Sequence, residues 1–452
     1  MSLPRYPEYK DSGVEWLGEV PAHWNVDALR RRAALNPSKS EIRELPGDAM
    51  VSFLPMEAVG ENGDLDLSRT RQISDVLSGY TYFREGDVTF AKITPCFENG
   101  KGARMVGLYG GHGFGTTELT VARPDPDLLD SHYLDWVFRS TPFRKRGEAA
   151  MYGAGGQKRV PDEFVREFAF GWPSVEEQIS IARFLDRETA RIDALIAEQE
   201  TLLALLAEKR QATISHAVTR GLEPNVPMKD SGIAWLGEVP AHWEVRALKS
   251  IVATPITDGP HETPVFLEEG VPFVSAEAVS GGAINFDKVR GYISAEDDAR
   301  YSQKYRPQIH DIYMVKSGAT TGVTAIVEGR TDFNIWSPLA AIRCNLEIAL
   351  PHFVLSYLRS KNFQEGVALN WSFGTQQNIG MGVLGTLPVA LPPEDEQRKI
   401  AESLQDKLKE LAALRRAAER AVPLLRERRS ALISAAVTGQ IDVRGLVSEE
   451  AG

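Results

Sequence analysis

From Pro173 to Arg220 no further Pro or Gly interrupts the chain, and apolar residues recur at Ile181, Leu185, Ile192, Leu195, Leu202 and Leu206. Steps of three, four and seven put these side chains on one stripe of an amphipathic helix. Ser174, followed by Glu176 and Glu177, suits the start of that helix, where a capping oxygen and negative charge are favoured. At about 1.5 Å per residue such a segment is a rod of close to 70 Å. A second stripe runs through Ile400, Leu404, Leu411, Leu414, Ala421 and Leu425, with Gly439 as its stop. Pro423 falls inside this second pattern, and its missing N–H and ring clash predict a bend or break near Ala421. A lone rod would leave its stripe in water, so the two are expected to pack together as a coiled coil. The alternative is that each folds back on its neighbouring domain.

Elsewhere the hydrophobic pattern has a shorter period. Residues 26–168 and 245–387 alternate apolar runs such as GDVTFAKITP, ELTVARP, VPFVSAEAV and DIYMVKSGATTGVTAIV with Gly and Pro punctuation. These runs predict strands joined by turns. LLDSHYLDWVFRSTPFRK and LPHFVLSYLRSKNFQ have helical spacing, so each region is read as a mixed α+β domain. Trp136, Phe138, Phe143, Leu355, Leu358 and Phe363 are assigned to its core.

The chain repeats itself. KDSGVEWLGEVPAHW starts at Lys10 and KDSGIAWLGEVPAHW at Lys229, and sixteen of 21 positions agree between Lys10–Arg30 and Lys229–Lys249. The same spacing of 219 relates PSVEEQISIARFLD at Pro173 to PPEDEQRKIAESLQ at Pro392, and ISHAVT at Ile214 to ISAAVT at Ile433. The middles align only with shifted offsets. Two tandem copies of one frame, with divergent inserts, account for the pattern: the flanks dock equivalent partners and the inserts read different things. The boundaries are a flank plus first domain over 1–172, a first helix over 173–221, a flank plus second domain over 222–391, and a second helix with tail over 392–452.

Composition narrows the function. At 452 residues more than one core is expected, and 43% hydrophobic with 25% charged residues is ordinary for a soluble globular chain. No run of about 20 apolar residues and no basic-then-apolar start are seen, so a cytoplasmic location off the membrane is expected. Cys96 and Cys344 alone support neither a disulfide framework nor a cysteine zinc site. The net charge of −11 argues against coating nucleic acid by bulk electrostatics. Locally, however, Arg139, Arg144, Lys145, Arg146, Lys158 and Arg159 face only Glu148 in a stretch that ends in a Gly-rich loop. That run is either a solvated face or an anion-binding surface.

Catalytic signatures are missing. The single Pro-Pro, at Pro392, follows Leu391 rather than Asn or Asp, and no G-x-x-x-x-G-K-[ST] loop occurs. GAGGQK at Gly153 is not a dinucleotide fingerprint, and the eight histidines form no H-x-x-x-H pair. His23 and His242, inside the repeated PAHW, are read as packing residues. The chain is expected to catalyse nothing itself, which disfavours a nuclease-methyltransferase fusion.

Two variable domains, each framed by a DSG-x-x-WLGEVPAHW flank and a P-x-x-EQ…AVT helix, closely resemble the specificity subunit of Type I restriction-modification systems, over nearly the whole chain. The resemblance implies an α+β fold of two similar mixed α/β target-recognition domains in tandem, separated by two long helices packed as an antiparallel coiled coil, with pseudo-two-fold symmetry. It implies that each domain reads one half of a bipartite, asymmetric site on double-stranded DNA. It further implies that two modification subunits dock on the repeated regions. S-adenosylmethionine for adenine methylation, and ATP with Mg for restriction motor subunits, would sit on those partners and not on this chain. Half-sites on one face of a duplex lie about 34 Å apart, a separation that a stiff helix pair can hold. On this reading the candidate DNA contacts of the first domain are Lys92, Arg144, Lys145, Gln157, Lys158 and Arg159. In the second, TDGPHETP is similar to a family loop and offers His261 and Thr263, beside Lys316, Thr320, Gln376, Gln377 and Asn378 on Gly-flanked loops. Lys and Arg suit phosphates or guanine, and Gln and Asn suit adenine edges. The competing reading is a coiled-coil adaptor whose middles bind protein without DNA sequence preference.

Overall fold

The computed structural model describes residues 3–154, 156–280, 282–373 and 377–446. The chain divides into two compact units, one of residues 1–199 with 420–452 and the other of residues 200–419. Each long helix therefore gives one half to each unit.

In the first unit the repeated peptide folds as a hairpin, Tyr9–Asp11 against Glu19–Pro21, with Gly13 and Gly18 in the left-handed region that a side chain would resist. Its last strand, Asn25–Ala28, pairs with Ala169–Trp172 just before the first long helix. Between them stand two four-stranded sheets. One has the order Ala33–Leu35, Leu119–Pro124, Val88–Ala91, Gly102–Arg104, all antiparallel. The other has the order Thr70–Gln72, Met50–Leu54, His112–Gly115, Thr81–Arg84, with a parallel pairing of Met50–Leu54 and His112–Gly115. The helical stretch after Asp130 is two helices rather than one, Ser131–Arg139 and Thr141–Ala150, because Ser140 is extended at their junction. Trp136, Phe138 and Phe143 are buried, as the pattern predicts.

The second unit repeats the plan with shorter strands. Met228–Asp230 pairs with Glu238–Pro240 in the register of the first hairpin, and Glu244–Ala247 pairs with Pro388–Leu391. Its antiparallel sheet has the order Thr257–Asp258, Leu339–Ile342, Ile312–Val315, Thr324–Ile326. Its three-stranded sheet again contains one parallel pair, Val271–Val274 with Asn334–Ile335. Helices Pro351–Leu358 and Lys361–Leu369 break at Ser360 as the first pair does at Ser140, and Leu355, Leu358 and Phe363 are buried.

A buried fork braces both antiparallel sheets. Arg123 donates to Asp87 through Nε and a terminal nitrogen at 2.7 Å each, and Arg343 grips Asp311 with the same two distances. Both aspartates are only 1% exposed, so each carboxylate depends on its arginine for compensation.

The long helices are Val175–Arg220 and Glu394–Val437. In the first unit the start of one, at Ile181 and Leu185, shares a core with the end of the other, at Ile433, Ala436 and Val437. In the second unit Ile214, Ala217 and Val218 share a core with Ile400 and Leu404. Start meets end in both, so the pairing is antiparallel. Each core also takes in its neighbouring domain, and the two expected modes of burial coexist. Two expectations need correction. Pro423 does not break the second helix, which runs through it; burial of Ala418 before it and Ile433 after it outweighs one lost backbone bond. Leu195, Leu202 and Leu414 are 44%, 39% and 55% exposed, because mid-rod only a narrower seam is covered. Among the described residues no helix is long and apolar enough to cross a membrane.

Candidate nucleic-acid interface

The repeated text forms a clasp in each unit. His23 Nε2 lies 2.8 Å from Glu177, and His242 Nε2 lies 2.8 Å from Glu396, each glutamate standing in the first turn of a long helix. The next residue completes the motif. Gln178 accepts from the Asp130 N–H and donates to the carbonyls of Leu128 and Pro173, while Gln397 accepts from Leu350 N–H and donates to Ile348 and Pro392. Trp24 and Trp243 are fully buried beside these helix starts. PAHW and P-x-x-EQ are thus two halves of one joint between flank, helix and domain, and the histidines serve structure as the sequence suggests.

Each unit also holds a junction of three backbone segments. In the first unit the Lys92 N–H donates to the Glu118 carbonyl at 2.8 Å, and the Lys92 carbonyl accepts from Val160 at 2.9 Å. Thr94 N–H donates to Lys158 at 3.0 Å, and Tyr152 and Arg159 pair across a hairpin. In the second unit Lys316 N–H donates to Pro338 at 2.8 Å, its carbonyl accepts from Ile379 at 2.8 Å, and Gly318 N–H donates to Gln377 at 3.0 Å. Asn378 pairs with Ser317 where Arg159 pairs with Ile93. Bond for bond, Lys92 answers to Lys316, Lys158 to Gln377 and Arg159 to Asn378. The sequence offsets agree with it: 224 when GDVTFAKITP is laid on HDIYMVKSGA, which pairs Lys92 with Lys316, and the repeat spacing of 219 for the other two pairs.

Most of the candidate residues gather at these junctions. In the first unit Gln157 and Lys158 are exposed, Lys92 is half-buried, and Arg159 forks onto Glu118 at 2.9 and 2.7 Å. That fork, with Lys92 nearby, holds the Glu118 carboxyl below its usual range despite partial burial. Lys145 is exposed on helix Thr141–Ala150. Arg144 points inward: its guanidinium donates to the Phe97 and Gly100 carbonyls at 3.0 and 3.1 Å and lies 4.8 Å over the Phe97 ring. Burial lowers it to about 10, and in this geometry it shapes the loop after Lys92 from beneath.

In the second unit Thr320, Gln377, His261 and Thr263 are exposed, and Asn378 pairs with Ser372 of the hairpin. Gln376 lies outside the described residues. Lys316 is 3.3 Å and His261 Nε2 3.0 Å from the carboxylate of Asp258, whose third partner is Lys304 at 2.5 Å. Burial raises the Asp258 carboxyl, but these cations, Lys304 foremost, outweigh it and hold it below its usual range. Sequence reasoning passed over Asp258 and Lys304, although Asp258 stands inside the quoted TDGPHETP. It also passed over Tyr152, an aromatic 68% exposed at the edge of the basic hairpin, where adjacency to GAGGQKR was the available signal.

A model of the Type I restriction modification DNA specificity domain matches residues 240–419. The chain is similar to the Type I restriction enzyme EcoAI specificity subunit of Escherichia coli, 39% identical over 193 residues covering 42% of this chain and 32% of the relative. It is similar also to the EcoEI specificity subunit of Escherichia coli, 36% identical over 206 residues covering 43% and 34%. The matches span about a third of the length of these curated relatives. In fold the chain is similar to a chain from a structure of a type I R-M system, with TM-score 0.72 at 19% identity over 92% of this chain and 98% of that one. The HsdS subunit from Thermoanaerobacter tengcongensis gives TM-score 0.60 at 18% identity over 93% and 98%.

Proposed function

We propose that this chain is the non-catalytic, sequence-reading subunit of a Type I restriction-modification complex. It reads a bipartite, asymmetric site on double-stranded DNA, one half per domain, and positions two adenine-methyltransferase subunits and the restriction motor subunits. S-adenosylmethionine, ATP and Mg belong to those partners. The observation that supports this reading best is the junction built twice on one backbone pattern with different exposed side chains: Gln157, Lys158 and Arg159 in one copy, Gln377 and Asn378 in the other. One scaffold with two sets of donor and acceptor groups suits two different base sequences.

The test is methylome sequencing of DNA exposed to the chain assembled with its methyltransferase subunits. Adenine methylation at one non-palindromic, two-part sequence is expected, with no methyl transfer by the chain alone. Transfer by the isolated chain, or an assembled complex that selects no sequence, defeats the proposal; in the second case the protein-binding adaptor takes its place.

A further inference from the structure

Two lysines and a histidine from three separate segments meet at one buried carboxylate in the second unit. Asp258 ends the edge strand Thr257–Asp258, and its side chain is 1% exposed. Lys304, just after helix Ala295–Tyr301, reaches one of its oxygens at 2.5 Å. Lys316, at the end of strand Ile312–Val315, and His261, in the loop after Asp258, reach the other at 3.3 and 3.0 Å. One carboxylate balances one lysine, so at least one positive charge is left over. That surplus faces outward, since Lys304 is 50% and His261 71% exposed, whereas Lys316 at 12% stands behind them. Each neighbouring acid has a partner outside this cluster. Glu262 is engaged by Arg300 at 2.8 Å and the Tyr301 hydroxyl at 2.9 Å, Asp297 by Arg300 at 2.6 Å, and Asp298 by Asn334 at 3.1 Å.

We infer that Lys304, His261 and Lys316 form a seat for one backbone phosphate of DNA, with Asp258 as the positioning residue that holds the three donors in place. The seat offers donors and no free acceptor, as phosphate oxygens require, and it adjoins the Lys316–Gln377 junction. The inference rests on the DNA-recognition reading above and adds to it a contact that carries no sequence information.

Binding of the full chain, alone and assembled with its methyltransferase subunits, to a labelled 30-base-pair duplex of random sequence separates the two ideas. The readout is the slope of log affinity against log salt. Lys304→Gln is expected to flatten the slope by about 0.9, so that a fourfold rise in salt costs about threefold less affinity than in the parent chain. Asp258→Asn is expected to weaken binding several-fold although it removes a negative charge, because the donors lose their anchor. An unchanged slope for Lys304→Gln, tighter binding by Asp258→Asn, or a loss confined to particular sequences, which marks a base contact, each overturns the seat. Should Asp258→Asn not fold, Lys304→Gln, on a half-exposed side chain, still decides. Absence of duplex binding by the parent chain in either state defeats the DNA reading itself, a result distinct from failure of the seat.

Discussion

Opposite Lys92 in the first unit stands Glu118, forked by Arg159; opposite Lys316 in the second stands Asp258, shared with Lys304 and His261. The backbone around the two lysines is bonded in the same way, yet the carboxylate that faces each comes from a different strand. Glu118 precedes the central strand Leu119–Pro124, and Asp258 lies on the edge strand Thr257–Asp258. Backbone pairing tolerates replacement of side chains, so the frame persists while the charged groups on it are rearranged. The clasps make the same point more quietly. Glu177 is 6% exposed and serves the Tyr6 hydroxyl at 2.7 Å, Trp24 Nε1 at 3.2 Å and His23 at 2.8 Å. Glu396 is 27% exposed with His242 at 2.8 Å, and among the described residues Trp243 Nε1 has no partner.

If the inserts are independent readers, exchange of residues 26–168 for another domain of the type should replace one half of the methylated sequence completely and leave the other intact. Methylome sequencing checks this, and a change in both halves breaks the comparison. Next in size are the buried forks. Arg123→Met and Arg343→Met each leave a buried aspartate without its cation and should cost about 3–5 kcal/mol, read by urea unfolding. A mild effect in one unit would show that the two sheets are braced differently.

The clasps should differ in strength. Glu177→Ala leaves two buried donors unpaired and should cost about 2–4 kcal/mol. Glu396→Ala breaks one partly exposed pair and should cost about 1 kcal/mol or less. Equal losses would mean that the extra donors in the first unit contribute nothing. The smallest effect is acid sensitivity in the second unit. The folded Asp258 carboxyl lies below its unfolded value of about 3.9, so its contribution is full above that pH and is lost as pH falls through the folded value. Asp258→Asn should remove that part of the decline below about pH 4 in circular dichroism, while Glu118→Gln should remove a separate part.

Much of the frame was legible in the chain itself. The repeat at 219 positions, the stripes of the two long helices, the mixed domains between them and the buried Trp136, Phe143, Leu358 and Phe363 all follow from periodicity and identity, which are local signals. Local signals failed where packing decides. Pro423 reads as a bend or break, and the break is overridden by burial on both sides; Leu195, Leu202 and Leu414 fit the stripe, but mid-rod cover is too narrow to reach them. Arg144 reads like Lys145 in sequence, yet one guanidinium turns under the Phe97–Gly100 loop and the other side chain faces water. The sequence by itself determined that two copies of one frame carry unlike inserts. Only the tertiary structure decided that Asp258, Lys304 and His261 meet, because these groups lie up to 46 residues apart and the fold alone brings them within a hydrogen bond.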